Sequence, residues 1–181
     1  RRPGMDERRI VYVSYIASHL AAVWDALTNP DVTEVYWSGT RVESDWKIGS
    51  KVLYTRGDTV TDEHIVLAAE PPHSLRHSFH PIFKEEFRKE EPSRVTFTLE
   101  QSGDVVRLTL IHDKFPANSR VFAACREGWP AILSSLKTLL ETGKPLPASG
   151  FPPVPEQPIR TRRQRTRLQF DASLLPLRAL R

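Results

Sequence analysis

Residues 16–30, IASHLAAVWDALTNP, decide the fold together with a second stretch at residues 127–143, EGWPAILSSLKTLLETG. In the first stretch, apolar residues recur at the three- and four-residue spacing of a helix face. Ser18 is placed to cap this helix, and Asn29-Pro30 end it. The sequence therefore predicts one early helix, separated from its partner by about 100 residues.

The second stretch predicts a longer closing helix. Trp129 and Leu133 share the apolar face of this segment, with further leucines at helical spacing. Pro130 suits the first turn and Gly143 suits the C-terminal end. We expect the helix to begin at about Pro130, because Gly128 and Pro130 interrupt any helical turn before them.

Between the two helices the chain is typical of short strands separated by turns. The segments are rich in β-branched and aromatic residues and are bounded by Gly, Pro, Asn and Asp. They lie at residues 9–15, 40–45, 51–56, 60–69, 74–80, 94–101 and 105–113. The order predicts an α+β fold, in which six or seven antiparallel strands curve around the closing helix. The charge-mixed run at residues 84–91 is expected to be a solvated loop, or a gate at a cavity mouth.

Four motifs carry a resemblance to a known family: Val23-Trp24-Asp25-Ala26-Leu27-Thr28-Asn29-Pro30, Glu70-Pro71-Pro72 with Leu75, Thr109-Leu110-Ile111-His112, and Gly128-Trp129-Pro130 with Leu133, Leu136 and Leu140. The chain resembles the activator of Hsp90 ATPase family in its C-terminal-domain-like form, within the START/Bet v 1-like (SRPBCC) helix-grip superfamily. The resemblance covers about residues 9–143. It implies a curved antiparallel sheet that wraps around a long C-terminal helix, and a second short helix at residues 31–36.

The resemblance leaves three functions open, because one fold hosts many activities. The first is binding or sensing of a small apolar ligand in a cavity between the sheet and the C-terminal helix. The second is a co-chaperone role, in which the surface stimulates an Hsp90-type ATPase. The third is a cyclase-like small-molecule activity. We favour binding without catalysis, since the domain resembles bacterial members for which the family label describes ancestry better than activity.

Strand alternation predicts which residues line the space between sheet and helix. In residues 105–113, Arg107 belongs in water, so residues of the opposite parity should point inward. The same argument applies to the neighbouring strands. An internal space of a few hundred Å³ is therefore expected, with these ligand-binding residues: Tyr54, His77, Phe79, Phe97, Leu108, Leu110, His112, Trp129 and Ile132.

His112 is the most distinctive of these residues, because it places a titratable ring on an apolar face. A buried histidine needs partners for both ring nitrogens. A general base would also need a second titrating group within reach, and no obvious one shares the face. We therefore expect His112 to be structural or to orient a ligand, and we name no catalytic residue.

The sequence predicts neither a metal site nor a cofactor. His73, His77 and His80 are close in sequence, but His77 and His80 point to opposite faces of a strand, so they cannot share a metal ion. Cys125 has no CxxC partner and is expected to be a buried small apolar residue. Glycine-rich phosphate loops and the common hydrolase motifs are missing from the sequence.

Composition indicates one globular domain in a reducing compartment. The chain has 181 residues, of which 39% are hydrophobic, and a single cysteine that cannot form an internal disulfide. No apolar run approaches the roughly 20 residues of a membrane span. The first four residues carry charge without a following apolar region, so we expect no signal peptide and a cytoplasmic protein. Met5 is a plausible natural start.

The basic excess lies in a C-terminal tail. Residues 144–181 hold eight Lys or Arg against two Asp or Glu, a net charge of +6, and seven of the 15 prolines. The rest of the chain holds 18 against 20. We expect a flexible N-terminus at residues 1–8, a domain at 9–143, and a proline-rich, disordered tail at 144–181. Five arginines in residues 160–167 suit weak, non-specific contact with a polyanion.

Overall fold

The structure is a computed structural model and describes residues 8–147. In this part of the chain, seven strands form one curled antiparallel sheet: β1 Ile10–Ile16, β2 Thr40–Glu43, β3 Lys51–Arg56, β4 Thr59–Glu70, β5 Ser74–Phe79, β6 Ser93–Ser102 and β7 Val105–Asp113. The strand order is β1-β7-β6-β5-β4-β3-β2. The predicted α+β fold is confirmed, and each strand lies within two residues of its predicted bounds.

Four helices accompany the sheet in the described range: α1 Leu20–Thr28, α2 Pro30–Tyr36, α3 Glu85–Arg88 and α4 Arg120–Thr142. The short α2 agrees with the implied second helix. Asn29 begins α2 by accepting a hydrogen bond from Asp31 N at 3.0 Å. None of these helices is long and apolar enough to cross a membrane.

The inner face of the sheet packs against α4, as the strand alternation predicts. In β7, Leu108, Leu110 and His112 are fully buried, whereas Arg107 is exposed. From α4, Trp129 and Leu133 are buried against this face. The core therefore lies between the concave side of the sheet and one stripe of α4.

The prediction that α4 begins near Pro130 is wrong. The helix runs without interruption from Arg120, and Pro130 lies inside it on the exposed side. Proline lacks the N–H that would bond to the carbonyl of Arg126, and its ring crowds that carbonyl, which together cost about 3 kcal/mol. Burial of Trp129 and Leu133 holds the segment in place, so packing outweighs the local signal.

The predicted loop at residues 84–91 contains α3, whose Phe87 is buried. Beyond α3, the carboxylate of Glu90 binds the first turn of α4. It accepts from Ser119 Oγ at 2.6 Å and from Arg120 N at 2.5 Å. The end of this run is therefore a helix cap, and not a freely solvated segment.

The expected Ser18 cap of α1 is also wrong. The N-cap residue is His19, whose side chain caps nothing. A side chain from the end of β6 replaces it: Gln101 Oε1 accepts from Leu20 N at 3.0 Å. Capping from a distant strand leaves no trace in the local sequence.

The predicted domain boundary at Gly143 stays a prediction. Gly143 closes α4 in the left-handed conformation, with φ of 80°. Just beyond Pro145 the chain returns to the helix, and Leu146 N donates to Ser135 Oγ at 3.2 Å. The predictions for most of residues 1–8 and for residues 148–181 fall outside the described residues.

Candidate ligand-binding site

The structure brings the predicted lining residues together on the concave face. Tyr54, His77, Phe79, Phe97, His112 and Trp129 form one aromatic cluster, with ring-centroid separations of 4.7–6.5 Å between contacting pairs. Leu108 and Leu110 are fully buried on the same face, and Ile132 is partly buried beside them.

Neighbouring rings in this cluster contact each other directly. Phe79 lies 4.7 Å from His112 and 5.8 Å from Trp129, distances at which aromatic pairs attract. The rings therefore act as core in this structure. An internal space of a few hundred Å³ stays a prediction, and a ligand among these rings would need some of them to move.

Three further rings join the cluster that the sequence analysis did not nominate. Trp37, which follows α2, meets Tyr54 at 5.0 Å and Trp129 at 5.6 Å. Phe115 stacks near His112 at 4.3 Å. The third is His64 of β4, which turns out to be the most informative residue of the site.

His112 is satisfied at both nitrogens. Trp129 Nε1 donates to its Nδ1 at 3.0 Å, so Nε2 carries the hydrogen and donates to Ser93 Oγ at 2.7 Å. Ser93 Oγ in turn donates to Phe79 O at 3.4 Å. Burial lowers the pKa of His112 to about 3. This histidine is neutral, and its hydrogen bonds link β7 to β6 and α4. Its one lone pair accepts from Trp129, so none is free to take a proton.

His77 is also neutral. Its Nδ1 donates to the carbonyl of Ser78 at 2.6 Å. Burial lowers the pKa of His77 to about 4. Its ring stacks on His64 at 5.0 Å, so two uncharged imidazoles lie side by side.

His64 has a buried donor without a partner. Its ring is fully buried between Tyr54 at 4.4 Å and Phe79 at 4.7 Å. Nδ1 accepts from His80 N at 2.9 Å, and burial moves the pKa of His64 well below its ordinary value. The neutral ring therefore carries its hydrogen on Nε2, which finds no hydrogen-bond acceptor among the described residues.

The carboxyl group of Asp62 lies near His64, with Oδ2 4.0 Å from Nε2. That distance is too long for a hydrogen bond. Asp62 is only 6% exposed, and burial raises its pKa to about 7, although Thr61 and Arg56 favour the charged form. Asp62 can therefore be charged or neutral near physiological pH.

Arg56 supplies the second unsatisfied donor. Its Nη2 donates to Thr40 Oγ1 at 3.0 Å, but its buried Nε has no partner within residues 8–147. Burial lowers the pKa of Arg56, and nearby Asp62 opposes that effect. We call Arg56, Asp62 and His64 the polar triad; it lies beside the aromatic cluster, at the β3–β4 end of the sheet.

The polar triad could have been located by the argument applied to β7. Asp62, His64 and Val66 alternate along β4, and all three are buried. A strand that puts an aspartate and a histidine on its apolar face breaks the usual preference for burying uncharged residues. The missing partners, however, depend on side-chain geometry that no sequence pattern contains.

The described residues offer no metal site with three or more His, Cys, Asp or Glu ligands. Cys125 of α4 is partly buried, and burial raises the pKa of its thiol. The negative charges of Asp62 and Glu90 add to that rise.

Comparison with protein families gives one match. A family model described as Activator of Hsp90 ATPase homolog 1-like protein matches residues 18–141, more than half of the chain. A comparison with the curated proteins finds no match.

Solved structures share the architecture. Protein MLL2253 from Mesorhizobium loti is 26% identical, with a TM-score of 0.63 over 74% of this chain and 97% of that one. The Aha1 dimer from Colwellia psychrerythraea is 20% identical, with a TM-score of 0.62 over 76% and 98% of the two chains. PFC0360w, an HSP90 activator from Plasmodium falciparum, is 19% identical, with a TM-score of 0.63 over 76% and 97%. The last two likenesses concern the fold alone.

Proposed function

Because the chain belongs to the Activator of Hsp90 ATPase homolog 1-like family, and its concave face joins aromatic rings to a polar triad, we propose that it binds a small, largely apolar molecule there. The observation that carries this proposal is the Nε2–H of His64, which is fully buried and has no acceptor among residues 8–147. In this proposal the predicted lining residues supply the aromatic and aliphatic wall of the same site.

The unpartnered donors of His64 and Arg56 cost free energy in the unliganded protein. A buried polar group without a hydrogen bond costs about 1–3 kcal/mol, and folded proteins contain few of them. Here two such groups occur within residues 8–147: His64 Nε2, 4.0 Å from Asp62 Oδ2, and Arg56 Nε, on a residue whose charge influences Asp62. An oxygen atom of a ligand would recover that loss, and the adjacent rings would bury its apolar part.

The test is native mass spectrometry of the full purified chain, combined with thermal melting in a screen of apolar compounds. We expect a co-purified small molecule, or compounds that raise the melting temperature with increasing concentration. His64→Phe should reduce this binding, because it keeps the ring and removes the donor. His73→Phe is the matched control, since His73 is exposed.

Two results would contradict the proposal. One is a chain that carries no small molecule and whose melting curve no apolar compound changes. The other is unaltered binding in His64→Phe. As a further check, Leu110→Phe should fill the interior and abolish the shift while the protein stays folded, because Leu110 is fully buried in β7.

A co-chaperone role is the second candidate. The family description names activation of an Hsp90 ATPase, and the outer face of β1 exposes Val11, Val13 and Tyr15 at 46–59%. Exposed apolar side chains in a row suit contact with a protein surface. The test is the ATPase rate of an Hsp90-type chaperone with and without the chain. Stimulation that Tyr15→Lys abolishes would support this role, and an unchanged rate would remove it.

A cyclase-like activity is the remaining alternative, and it would use the same site. Asp62 is the group that favours it, because a carboxyl group with a pKa near 7 can give and take a proton at neutral pH. We propose binding ahead of turnover, since burial lowers the pKa of His77 to about 4 and both nitrogens of His112 have partners, so neither histidine readily takes a proton at neutral pH. Conversion of the bound compound to one of different mass, lost in Asp62→Asn, would reverse that order.

A further inference from the structure

The polar triad has more donors than acceptors, and this imbalance indicates what the bound molecule carries. His64 presents Nε2–H and Arg56 presents Nε–H, both buried and both without partners in residues 8–147. Asp62 lies near both residues: its Oδ2 is 4.0 Å from His64 Nε2, too far for a hydrogen bond, and its charge and that of Arg56 influence each other. Two unpartnered N–H groups close to one carboxyl group suit a ligand whose oxygen atoms accept hydrogen bonds.

The charge of the site favours a negatively charged oxygen. Arg56 is half-buried and forms no ion pair with any described carboxylate, although burying an unpaired guanidinium is unfavourable. Within residues 8–147, its side chain donates a hydrogen bond to the neutral hydroxyl of Thr40. A protonated Asp62 leaves the polar triad with a net positive charge. A carboxylate brings the missing counter-charge and two acceptor oxygens together.

The surroundings of the polar triad favour an apolar body behind that head group. Tyr54, Phe79 and Trp37 crowd around His64 or its immediate neighbours, with centroid separations of 4.4–5.0 Å. These rings offer carbon surface and hardly any further hydrogen bonds. A small polar anion would leave that surface uncovered, whereas an amphiphile would cover it.

We propose that the site binds an apolar compound with a carboxylate head, which accepts hydrogen bonds from His64 Nε2–H and from Arg56. This inference rests on the proposed small-molecule binding and names its chemical class. Arg56 and His64 contact the ligand directly, and Asp62 adjusts the charge between them. The aromatic cluster receives the hydrocarbon or aromatic part.

The experiment compares three probes of equal chain length by isothermal titration calorimetry on the full chain: decanoate, decanol and decylamine. Naphthoate and naphthol repeat the comparison for a flat body. We expect decanoate to bind at least about tenfold more tightly than decanol. A charged carboxylate accepts stronger hydrogen bonds than a neutral hydroxyl, and the gain in binding free energy is at least that of a tenfold change in affinity. Decylamine should not bind detectably.

The variants separate the head group from the body. Arg56→Gln and His64→Phe should each lose about tenfold or more in decanoate affinity, whereas decanol affinity should fall by a smaller factor, because its neutral hydroxyl accepts a weaker hydrogen bond. Lys51→Gln is the matched control: it removes an exposed positive charge from the same strand and should leave both affinities unchanged. If a variant does not fold, the Nε–H resonance of Arg56 in the wild-type chain provides the readout, and it should shift on addition of decanoate.

The outcomes distinguish the two levels of the proposal. No binding by any probe, carboxylates and neutral compounds alike, contradicts the proposed function itself. Equal or tighter binding of decanol, or binding of decylamine, leaves the proposed function standing and overturns the carboxylate class. A doubly protonated His64 that is ion-paired with Asp62 in the free protein would also overturn the carboxylate class, because His64 Nε2–H would then have a partner.

Discussion

Two buried histidines on one concave face have opposite surroundings. His112 has a donor on one side, Trp129, and an acceptor on the other, Ser93, so its ring is fully used in holding α4 to the sheet. His64, whose ring shares Phe79 as a neighbour, uses one nitrogen and leaves the other without a partner among residues 8–147. The comparison teaches that burial alone does not separate a structural histidine from a functional one; the partners of both nitrogens do.

The largest expected effect comes from removing the partner of His112. Trp129→Ala should lower the free energy of unfolding by about 3–5 kcal/mol, because a fully packed indole is lost. It also leaves His112 Nδ1 without its donor. Denaturant unfolding of the two proteins measures the difference. A loss below about 1 kcal/mol would mean that the indole does not anchor α4.

The second effect concerns the charge of Asp62 in the polar triad, which should make the stability of the protein depend on pH. Burial raises the pKa of Asp62 from 3.8 to about 7. Folding therefore favours the protonated form; this stability is fully present below about pH 3.8 and is lost as the pH rises through about 7. Asp62→Asn cannot ionise and lacks that loss.

Stability measured across this range gives the test of Asp62. Relative to Asp62→Asn, the wild type should lose roughly 2–4 kcal/mol between about pH 4 and about pH 8. Tyr54 and Arg56 on β3, His64 on β4 and Cys125 on α4 face Asp62 and remain in both proteins. Parallel pH curves for the two proteins would show that Asp62 keeps an ordinary pKa.

The third effect compares the two histidines directly. His112→Phe should destabilise the fold by about 1–3 kcal/mol, because Trp129 Nε1 and Ser93 Oγ both lose a partner. His64→Phe should lower the free energy of unfolding by less, about 1 kcal/mol or under. It leaves only His80 N without its acceptor, and the donor that it removes has no partner among residues 8–147. Equal losses in the two variants would erase the distinction between the sites.

The smallest effect should come from residues outside both sites. Removal of residues 148–181 keeps the contact between Leu146 and Ser135, so the free energy of unfolding should change by less than about 0.5 kcal/mol. The shortened chain should elute from heparin at lower salt, because it loses five arginines in residues 160–167. Equal elution of both forms would exclude the tail from polyanion contact.

Sequence reasoning reached the fold and most of the aromatic cluster because strand alternation is a geometric rule. It placed Leu108, Leu110 and His112 on one face of β7 without knowing what they touch. It placed the start of α4 ten residues too late, since Pro130 is a strong local signal that distant packing against Trp129 overrides. Whether a buried donor has a partner depends on distances between strands, which no alternation pattern reports.

Glu90 has a consequence for how this scaffold can be altered. One carboxylate joins the connection between β5 and β6 to the first turn of α4, across 29–31 positions of sequence. A library that varies the exposed residues 84–86 can therefore reshape that connection while α4 keeps its anchor, provided that Phe87 and Glu90 are held constant. Exposed residues of the β5–β6 connection can thus be varied separately from the Glu90 contact that fixes α4, and this separation makes the domain adaptable as a binding scaffold.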